Sequence, residues 1–108
     1  MSQHLQLSAI LVEIQGEMVE LDIWQSEMPT EEALASTEPF CVDTLAFHEW
    51  VQWIMLPRLN HMAENKLPLP NNSDMFSMAE EAFKNLEVKT DTLLSLILQL
   101  DNCLRTSH

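Results

Sequence analysis

The sequence of 108 residues is poor in glycine and in basic side chains, and each shortage excludes a class of function. One glycine is too few for the glycine-rich loops that cradle phosphates, and it argues against an all-β fold with many tight turns. Five Lys and Arg against 17 Asp and Glu give a net charge of −12. This balance excludes direct nucleic-acid binding by phosphate neutralisation and disfavours docking on anionic lipid.

Long apolar runs and paired cysteines are also missing. The longest nearly unbroken apolar stretches, 53–57 and 93–100, are far shorter than the roughly 20 residues of a membrane-spanning helix. The N-terminal residues lack the basic and apolar segments of a signal peptide. Cys41 and Cys103 form no CxxC motif, so two buried thiols are favoured over a disulfide. We therefore expect a cytoplasmic protein with no membrane partner.

Motifs that support catalysis or cofactor binding do not occur in the sequence. There is no GxSxG, P-loop or GxGxxG pattern. Cys41 and His48 are the only nucleophile–base pair close in sequence, and a buried cysteine is usually inert. The histidines form no HExxH motif and no Cys/His cluster that would hold zinc: His4, His48, His61 and His108. We expect a protein that is not an enzyme and has no catalytic, cofactor-binding or metal-binding residues.

What the sequence does contain is apolar residues at helical spacing. They predict an all-α bundle in a single domain, 1–108, with four main helices and one short helix. The main helices are expected at about 3–24, 44–64, 75–87 and 90–105, and the short one near 29–35. The inner stripes of the first and last helices alternate spacings of four and three: Leu7, Leu11, Ile14, Met18 and Leu21; Leu93, Ile97, Leu100 and Leu104.

Start signals refine these boundaries. Asp43 is a good N-cap for the helix at 44–64, and Ser77 with Glu80 forms a capping-box pattern for the helix at 75–87. Pro57 lies inside the second main helix, where it removes a hydrogen bond and clashes with the preceding turn. We therefore expect a kink at Pro57.

Two further positions have local interpretations. Gly16, inside the first helix, either permits close packing or is merely tolerated. Asp101 and Arg105, four residues apart on the last helix, form a favourable ion pair at i,i+4 spacing.

Charge is placed unevenly along the chain, because residues 1–57 contain no Lys or Arg. The same stretch holds ten acids: Glu13, Glu17, Glu20, Asp22, Glu27, Glu31, Glu32, Glu38, Asp43 and Glu49. Glu13, Glu17 and Glu20 share one face of the first helix. This acidic surface either steers a basic protein partner, such as a nucleic-acid-handling protein, or serves solubility.

Two tryptophans and one cation stand out in the second main helix. Trp50 shares a stripe with Phe47 and Ile54, which favours the core, whereas Trp53 lies off that stripe and is a candidate binding anchor. Arg58 is the first cation in the chain. It either forms an ion pair with one of three acids or binds an anionic ligand; the three acids are Asp43, Glu80 and Glu81.

The same region resembles a known family. The segments Pro39-Phe40-Cys41-Val42-Asp43-Thr44, Glu49-Trp50-Val51-Gln52-Trp53, Pro57-Arg58, Pro68-Leu69-Pro70 and Met78-Ala79-Glu80-Glu81-Ala82 resemble the YqcC-like family of small bacterial proteins. Ser77 departs from the proline expected at its position, and both residues suit a helix start.

The resemblance implies an all-α bundle and a bacterial cytosolic protein of uncharacterised function. Some members carry names taken from a tRNA pseudouridine synthase. This chain has neither the length nor the basic surface of such an enzyme, nor its catalytic-aspartate motif, so we do not expect that activity here.

Three functions remain open. The first is a non-catalytic interaction module for a basic partner, for example as an accessory to an RNA-modifying enzyme, that uses Glu13, Glu17 and Glu20. The second is a carrier of a small anionic ligand, with a pocket around Trp53 and Arg58. The third is a structural protein that self-associates as a homo-oligomer through its apolar helix.

Overall fold

The computed structural model describes residues 3–70 and 74–105, and within these ranges the chain is helical with no strand. We number five helices. They are α1 (Gln3–Glu20), α2 (Glu31–Leu34), α3 (the consecutive segments Phe47–Trp50, Val51–Met55 and Leu56–Glu64), α4 (Met75–Ala82, continued by a 3₁₀ turn at Phe83–Asn85) and α5 (Asp91–Arg105). The predicted all-α bundle of four main helices and a short one is confirmed.

One apolar core holds the bundle together. α1 packs against α5 and against the second half of α3, and α4 packs against α5. The predicted inner stripes of α1 and α5 are buried, except that Leu21, beyond the end of α1, is only partly so. Burial of each large aliphatic side chain contributes about 1.5–3 kcal/mol, so these two stripes contribute substantially to the stability of the bundle.

α1 ends at Glu20, four residues earlier than predicted. Asp22 adopts a left-handed conformation with φ 60°. The Ile23 N–H donates to the Met18 carbonyl at 3.0 Å, and the Asp22 N–H donates to the Val19 carbonyl at 3.0 Å. This is a Schellman motif, which satisfies the last carbonyls of the helix and turns the chain away. Aspartate takes the position that glycine usually occupies, so the sequence lacked the usual stop signal.

The predicted N-cap of α3 is wrong, because the helix begins at Phe47 rather than at 44. The Glu49 carboxylate accepts a hydrogen bond from the Ala46 N–H at 2.8 Å and so stabilises the first turn. Asp43 instead accepts a hydrogen bond from the Ser36 hydroxyl, in the segment that follows α2. α2 itself begins after Thr30, whose hydroxyl accepts from the Ala33 N–H at 3.1 Å.

The distortion expected near Pro57 takes the form of a π-helical turn. Residues Val51–Met55 are π-helical, and the Leu56 N–H donates to the Val51 carbonyl, five residues back. Proline has no N–H, and its ring clashes with the carbonyl four residues earlier, so widening the preceding turn relieves the clash. α3 then continues to Glu64, where the prediction placed its end.

α4 begins with a different cap from the predicted Ser77–Glu80 box. Asp74 is the N-cap, and its carboxylate accepts from the Ser77 N–H at 3.5 Å and from the Ser77 hydroxyl at 3.1 Å. The helix also ends earlier than residue 87, because Leu86 is already extended. A side-chain N-cap was correctly predicted for α4, but the capping residue is Asp74, three positions before the predicted Ser77.

Candidate functional site

Arg58, one of the predicted interaction residues, lies at the junction of two surface pockets. One pocket, of about 230 Å³, is also lined by Met55 and Asp74; the other, of about 320 Å³, is also lined by Ile54 and Glu38. Arg58 is exposed and forms no ion pair or hydrogen bond within residues 3–70 and 74–105. The expected pairing with Asp43, Glu80 or Glu81 is therefore not made.

Phe40 and Trp50 line both of the pockets that Arg58 lines. Their rings are 4.8 Å apart and nearly perpendicular, and Phe47 contacts both rings from the core side. Trp50 packs against the core as predicted, but it is only partly buried, so part of its surface remains available to the pockets. An aromatic wall beside a cation can hold an apolar group that carries a negative charge.

Trp53, the predicted partner of Arg58, lines neither of these two pockets and belongs to a different set of contacts. Its indole N–H donates to the Gln25 side-chain oxygen at 3.1 Å, and the Gln25 amide donates to Glu49 at 3.0 Å. Gln52 completes the set by bonding the backbone of Gln25. These hydrogen bonds fix the segment after α1 against α3, which gives Trp53 a structural role.

Glu13, Glu17 and Glu20 lie together on α1 as the spacing predicted, and we call them the acidic row. Glu13 and Glu20 are exposed and Glu17 is partly buried. None of the three takes part in an ion pair with another described residue. Since no Lys or Arg occurs before Arg58, the neighbouring residues along the chain cannot neutralise the row.

An exposed apolar stripe runs beside the acidic row, and sequence reasoning missed it. Ala9, Val12, Gly16 and Val19, which we call the α1 stripe, alternate spacings of three and four and are all exposed. Val12 is 70% exposed and Val19 54%. At 100° per residue the acidic row borders one edge of the stripe, whereas neutral polar residues border the other. The spacing of these four residues is visible in the sequence. The buried stripe of the same helix has larger apolar residues at the same kind of spacing, so it dominates the pattern.

Gly16 lies at the centre of the α1 stripe. A methyl group placed at Gly16 would have no atom within 4 Å, so nothing within the described chain requires glycine there. Of the two interpretations, close packing inside the bundle is therefore not the reason for this glycine.

Asp101 is the most deeply buried charged residue in the described chain and was not predicted to be internal. It is 0% exposed, and its two carboxylate oxygens accept hydrogen bonds from the Met75 N–H at 2.9 Å and the Phe76 N–H at 2.8 Å. Arg105, its predicted partner, lies with its guanidinium 3.6 Å from Asp74. Asp101 thus joins α5 to the N-terminus of α4, where the helix dipole favours a negative charge.

Burial shifts the pKa of one histidine and one cysteine among the described residues. Burial lowers the pKa of His48 and raises the pKa of the Cys103 thiol, so burial favours the neutral form of both groups. Cys41 and Cys103 are both buried and free, as predicted. Among residues 3–70 and 74–105 no cluster of three or more His, Cys, Asp or Glu could hold a metal, and no helix is long and apolar enough to cross a membrane.

A solved structure of a known protein has the same fold as this chain. The solution NMR structure of protein YqcC from Escherichia coli matches with a TM-score of 0.85 and 26% identity, over 100% of this chain and 96% of that one. In sequence, the E. coli YqcC protein is 40% identical over 47 residues, which are 44% of this chain and 43% of that protein.

Two other relatives differ in length and description. A protein of Haemophilus influenzae described as uncharacterized is 36% identical over 87 residues, covering 81% of this chain and 82% of the relative. A protein of Pectobacterium carotovorum named tRNA pseudouridine synthase C is 40% identical over 72 residues, which are 67% of this chain but only 19% of that relative.

A family model covers almost the whole chain. DUF446, whose description is tRNA pseudouridine synthase C, matches residues 6–103. Together with the similarity to YqcC in sequence and structure, this match is decisive. The chain belongs to the YqcC-like family that the DUF446 model describes.

Proposed function

We propose that the protein is a non-catalytic interaction module that docks a basic amphipathic helix of an RNA-modifying enzyme on α1. The observation that carries this proposal is the exposed α1 stripe beside the acidic row. Apolar residues at alternating spacings of three and four are the pattern with which one helix packs along another. From Ala9 to Val19 the stripe is about 15 Å long, enough for roughly three turns of a partner helix.

The charge beside the α1 stripe determines what kind of partner helix can pack on it. The acidic row lies along one edge of the stripe, so the partner helix carries Lys or Arg along the edge that faces it. A second copy of this chain is disfavoured, since its net charge of −12 repels an identical molecule. Gly16, which has open space around it, lets a partner backbone approach closely.

The nature of the partner is supported by one relative. In the Pectobacterium protein named tRNA pseudouridine synthase C, a segment similar to this chain forms about a fifth of a longer polypeptide. An enzyme that acts on tRNA needs a basic surface to bind phosphates, and such a surface complements the acidic row. The proposed partner is therefore a tRNA pseudouridine synthase, and this chain contributes no catalytic residue.

The test measures binding between this chain and purified tRNA pseudouridine synthase C from the same organism by isothermal titration calorimetry. Val12→Asp, which places a charge on the stripe, is expected to weaken binding at least about tenfold. Reversal of the acidic row to lysine is expected to do the same at low salt and less at high salt. The matched control reverses three exposed acids off α1: Glu64, Glu80 and Glu87.

Three results would overturn the proposal. The first is no binding to the enzyme at low salt. The second is an equal effect of the acidic-row and control reversals. The third is a dimer, detected by light scattering, that Val12→Asp dissociates, because the occupant of the stripe would then be a second copy of this chain.

A further inference from the structure

Two departures from regular backbone geometry meet at the pockets beside Arg58. Phe40 and Cys41 both have positive φ, 57° and 51°, a conformation that non-glycine residues rarely adopt and that occurs at functional sites as well as at helix ends. The π-helical turn Val51–Met55 is the second departure, and such turns also concentrate at functional sites.

Both departures place side chains in the pocket walls. Phe40 lines both pockets. From the π-helical turn, Met55 lines the 230 Å³ pocket and Ile54 lines the 320 Å³ pocket. Both irregular segments therefore contribute side chains to the two pockets that Arg58 lines.

The charges around the pockets restrict what they can bind. Arg58 is the one cation that lines them, and it has no ion-pair partner among the described residues. Asp74 lines one pocket and Glu38 the other, but Asp74 already bonds Ser77 and lies 3.6 Å from Arg105. A polyanion such as a nucleotide is disfavoured, because it would meet the Asp74 and Glu38 carboxylates with only one cation to pair with. One guanidinium can pair with one carboxylate.

We propose that these two pockets form a reversible binding site for a small monocarboxylate with an apolar aromatic body. The carboxylate accepts two parallel hydrogen bonds from the Arg58 guanidinium, the geometry for which arginine is suited. The apolar body packs on Phe40 and Trp50, whose edge-to-face pair forms the wall shared by both pockets. This site is separate from the α1 stripe and does not depend on the proposed function.

The experiment titrates the protein with 3-phenylpropanoate and, separately, with its neutral counterpart 3-phenylpropanamide. The indole N–H signal of Trp50, assigned with a Trp50→Phe variant, is followed by NMR. A ligand of this size is expected to bind with a Kd on the order of 1 mM. The amide, which lacks the negative charge, is expected to bind at least about tenfold more weakly.

Two variants separate the role of Arg58 from the general charge of the protein. Arg58→Gln is expected to weaken 3-phenylpropanoate binding at least about tenfold. Arg58→Lys keeps the charge but loses the paired hydrogen bonds, so its affinity is expected to lie between those of Arg58→Gln and the wild type. Lys89→Gln removes the same charge at an exposed position that lines neither pocket and is expected to change nothing. Arg58 is exposed, so its replacement leaves the core intact.

The proposal is overturned if 3-phenylpropanoate does not shift the Trp50 signal at concentrations up to about 10 mM, ten times the expected Kd. It is also overturned if the amide binds as tightly as the acid, or if Arg58→Gln and Lys89→Gln have equal effects. Tighter binding of inorganic phosphate than of 3-phenylpropanoate would likewise overturn it, because the apolar wall would then have no role.

Discussion

The side-chain amide of Gln52 is paired with the backbone of Gln25 through two hydrogen bonds. The Gln52 oxygen accepts from the Gln25 N–H at 2.8 Å, and the Gln52 nitrogen donates to the Gln25 carbonyl at 2.7 Å. Gln52 is buried within the π-helical turn of α3. One side chain thus satisfies both polar backbone groups of a loop residue, and it ties the segment after α1 to the centre of the bundle.

Replacing Gln52 with leucine tests the importance of this pairing. The variant keeps an apolar side chain of similar size but leaves the N–H and carbonyl of Gln25 without these partners. We expect the free energy of unfolding, measured by urea denaturation, to fall by about 2–3 kcal/mol. Gln99→Leu, at an exposed position of α5, is the control and is expected to change it by less than about 0.5 kcal/mol. Equal effects of the two substitutions would contradict this role.

Asp101→Asn tests the carboxylate that joins α5 to α4. An amide has one accepting oxygen, so its NH₂ group would face either the Met75 or the Phe76 N–H, where the carboxylate now accepts both. We expect a loss of about 2 kcal/mol in the free energy of unfolding. Asp22→Asn removes the same charge at an exposed left-handed position that asparagine also tolerates. A loss no greater than that of this control would show that Asp101 is dispensable.

Gly16→Ala is expected to stabilise the protein. Gly16 lies inside α1, and the added methyl group meets no atom within 4 Å. Alanine is favoured over glycine inside a helix by about 1 kcal/mol, because glycine loses more backbone freedom on folding. Thermal denaturation should show a higher Tm for Gly16→Ala and a smaller change for Gln15→Ala at the exposed neighbouring position. A lower Tm for Gly16→Ala would contradict this expectation, and it would mean that another group occupies the space beside Gly16 in solution.

His48 is expected to make stability fall in mild acid. Burial lowers its pKa below the ordinary 6.5, and the nearby Glu49 only partly opposes this effect. As the pH falls through 6.5, the unfolded chain takes up a proton that the folded protein resists, so the free energy of unfolding decreases. Well above 6.5 the histidine is neutral in both states, and the free energy of unfolding no longer depends on its protonation.

The measurement is the change in Tm between pH about 7.5 and about 5.5, the interval in which an ordinary histidine titrates. The decrease should be smaller in His48→Gln than in the wild type. His61→Gln, at an exposed site, should leave the decrease unchanged. A decrease of the same size in His48→Gln would assign the acid sensitivity to other groups.

The parts of the fold that the sequence predicted correctly are those set by periodic burial. The inner stripes of α1 and α5 repeat at helical spacing, and no other regular structure places those residues on one face. The helix ends were less predictable. Asp22 stops α1 and Lys66 stops α3 in left-handed conformations where glycine is the usual signal. For α3, Glu49 caps the Ala46 N–H from inside the first turn, in place of Asp43.

The candidate sites likewise include one part that could be predicted from the sequence and one part that could not. The acidic row could be predicted, because three glutamates at helical spacing necessarily share a face. Trp53 was predicted to lie beside Arg58, but Trp50 lines the pockets there instead. This difference could not be predicted from the sequence, because it depends on the π-helical turn and on the position of Phe40.

The sequence by itself determined the helices, their buried faces and the acidic character of the first half, because these follow from spacing and composition along one chain. Only the tertiary structure decided that Asp101 is internal, that Arg58 has no ion pair among the described residues and that Val12 stays exposed. These properties depend on contacts between segments distant in sequence. A residue's spacing gives its face on a helix, whereas the packing of the other helices decides whether that face is covered.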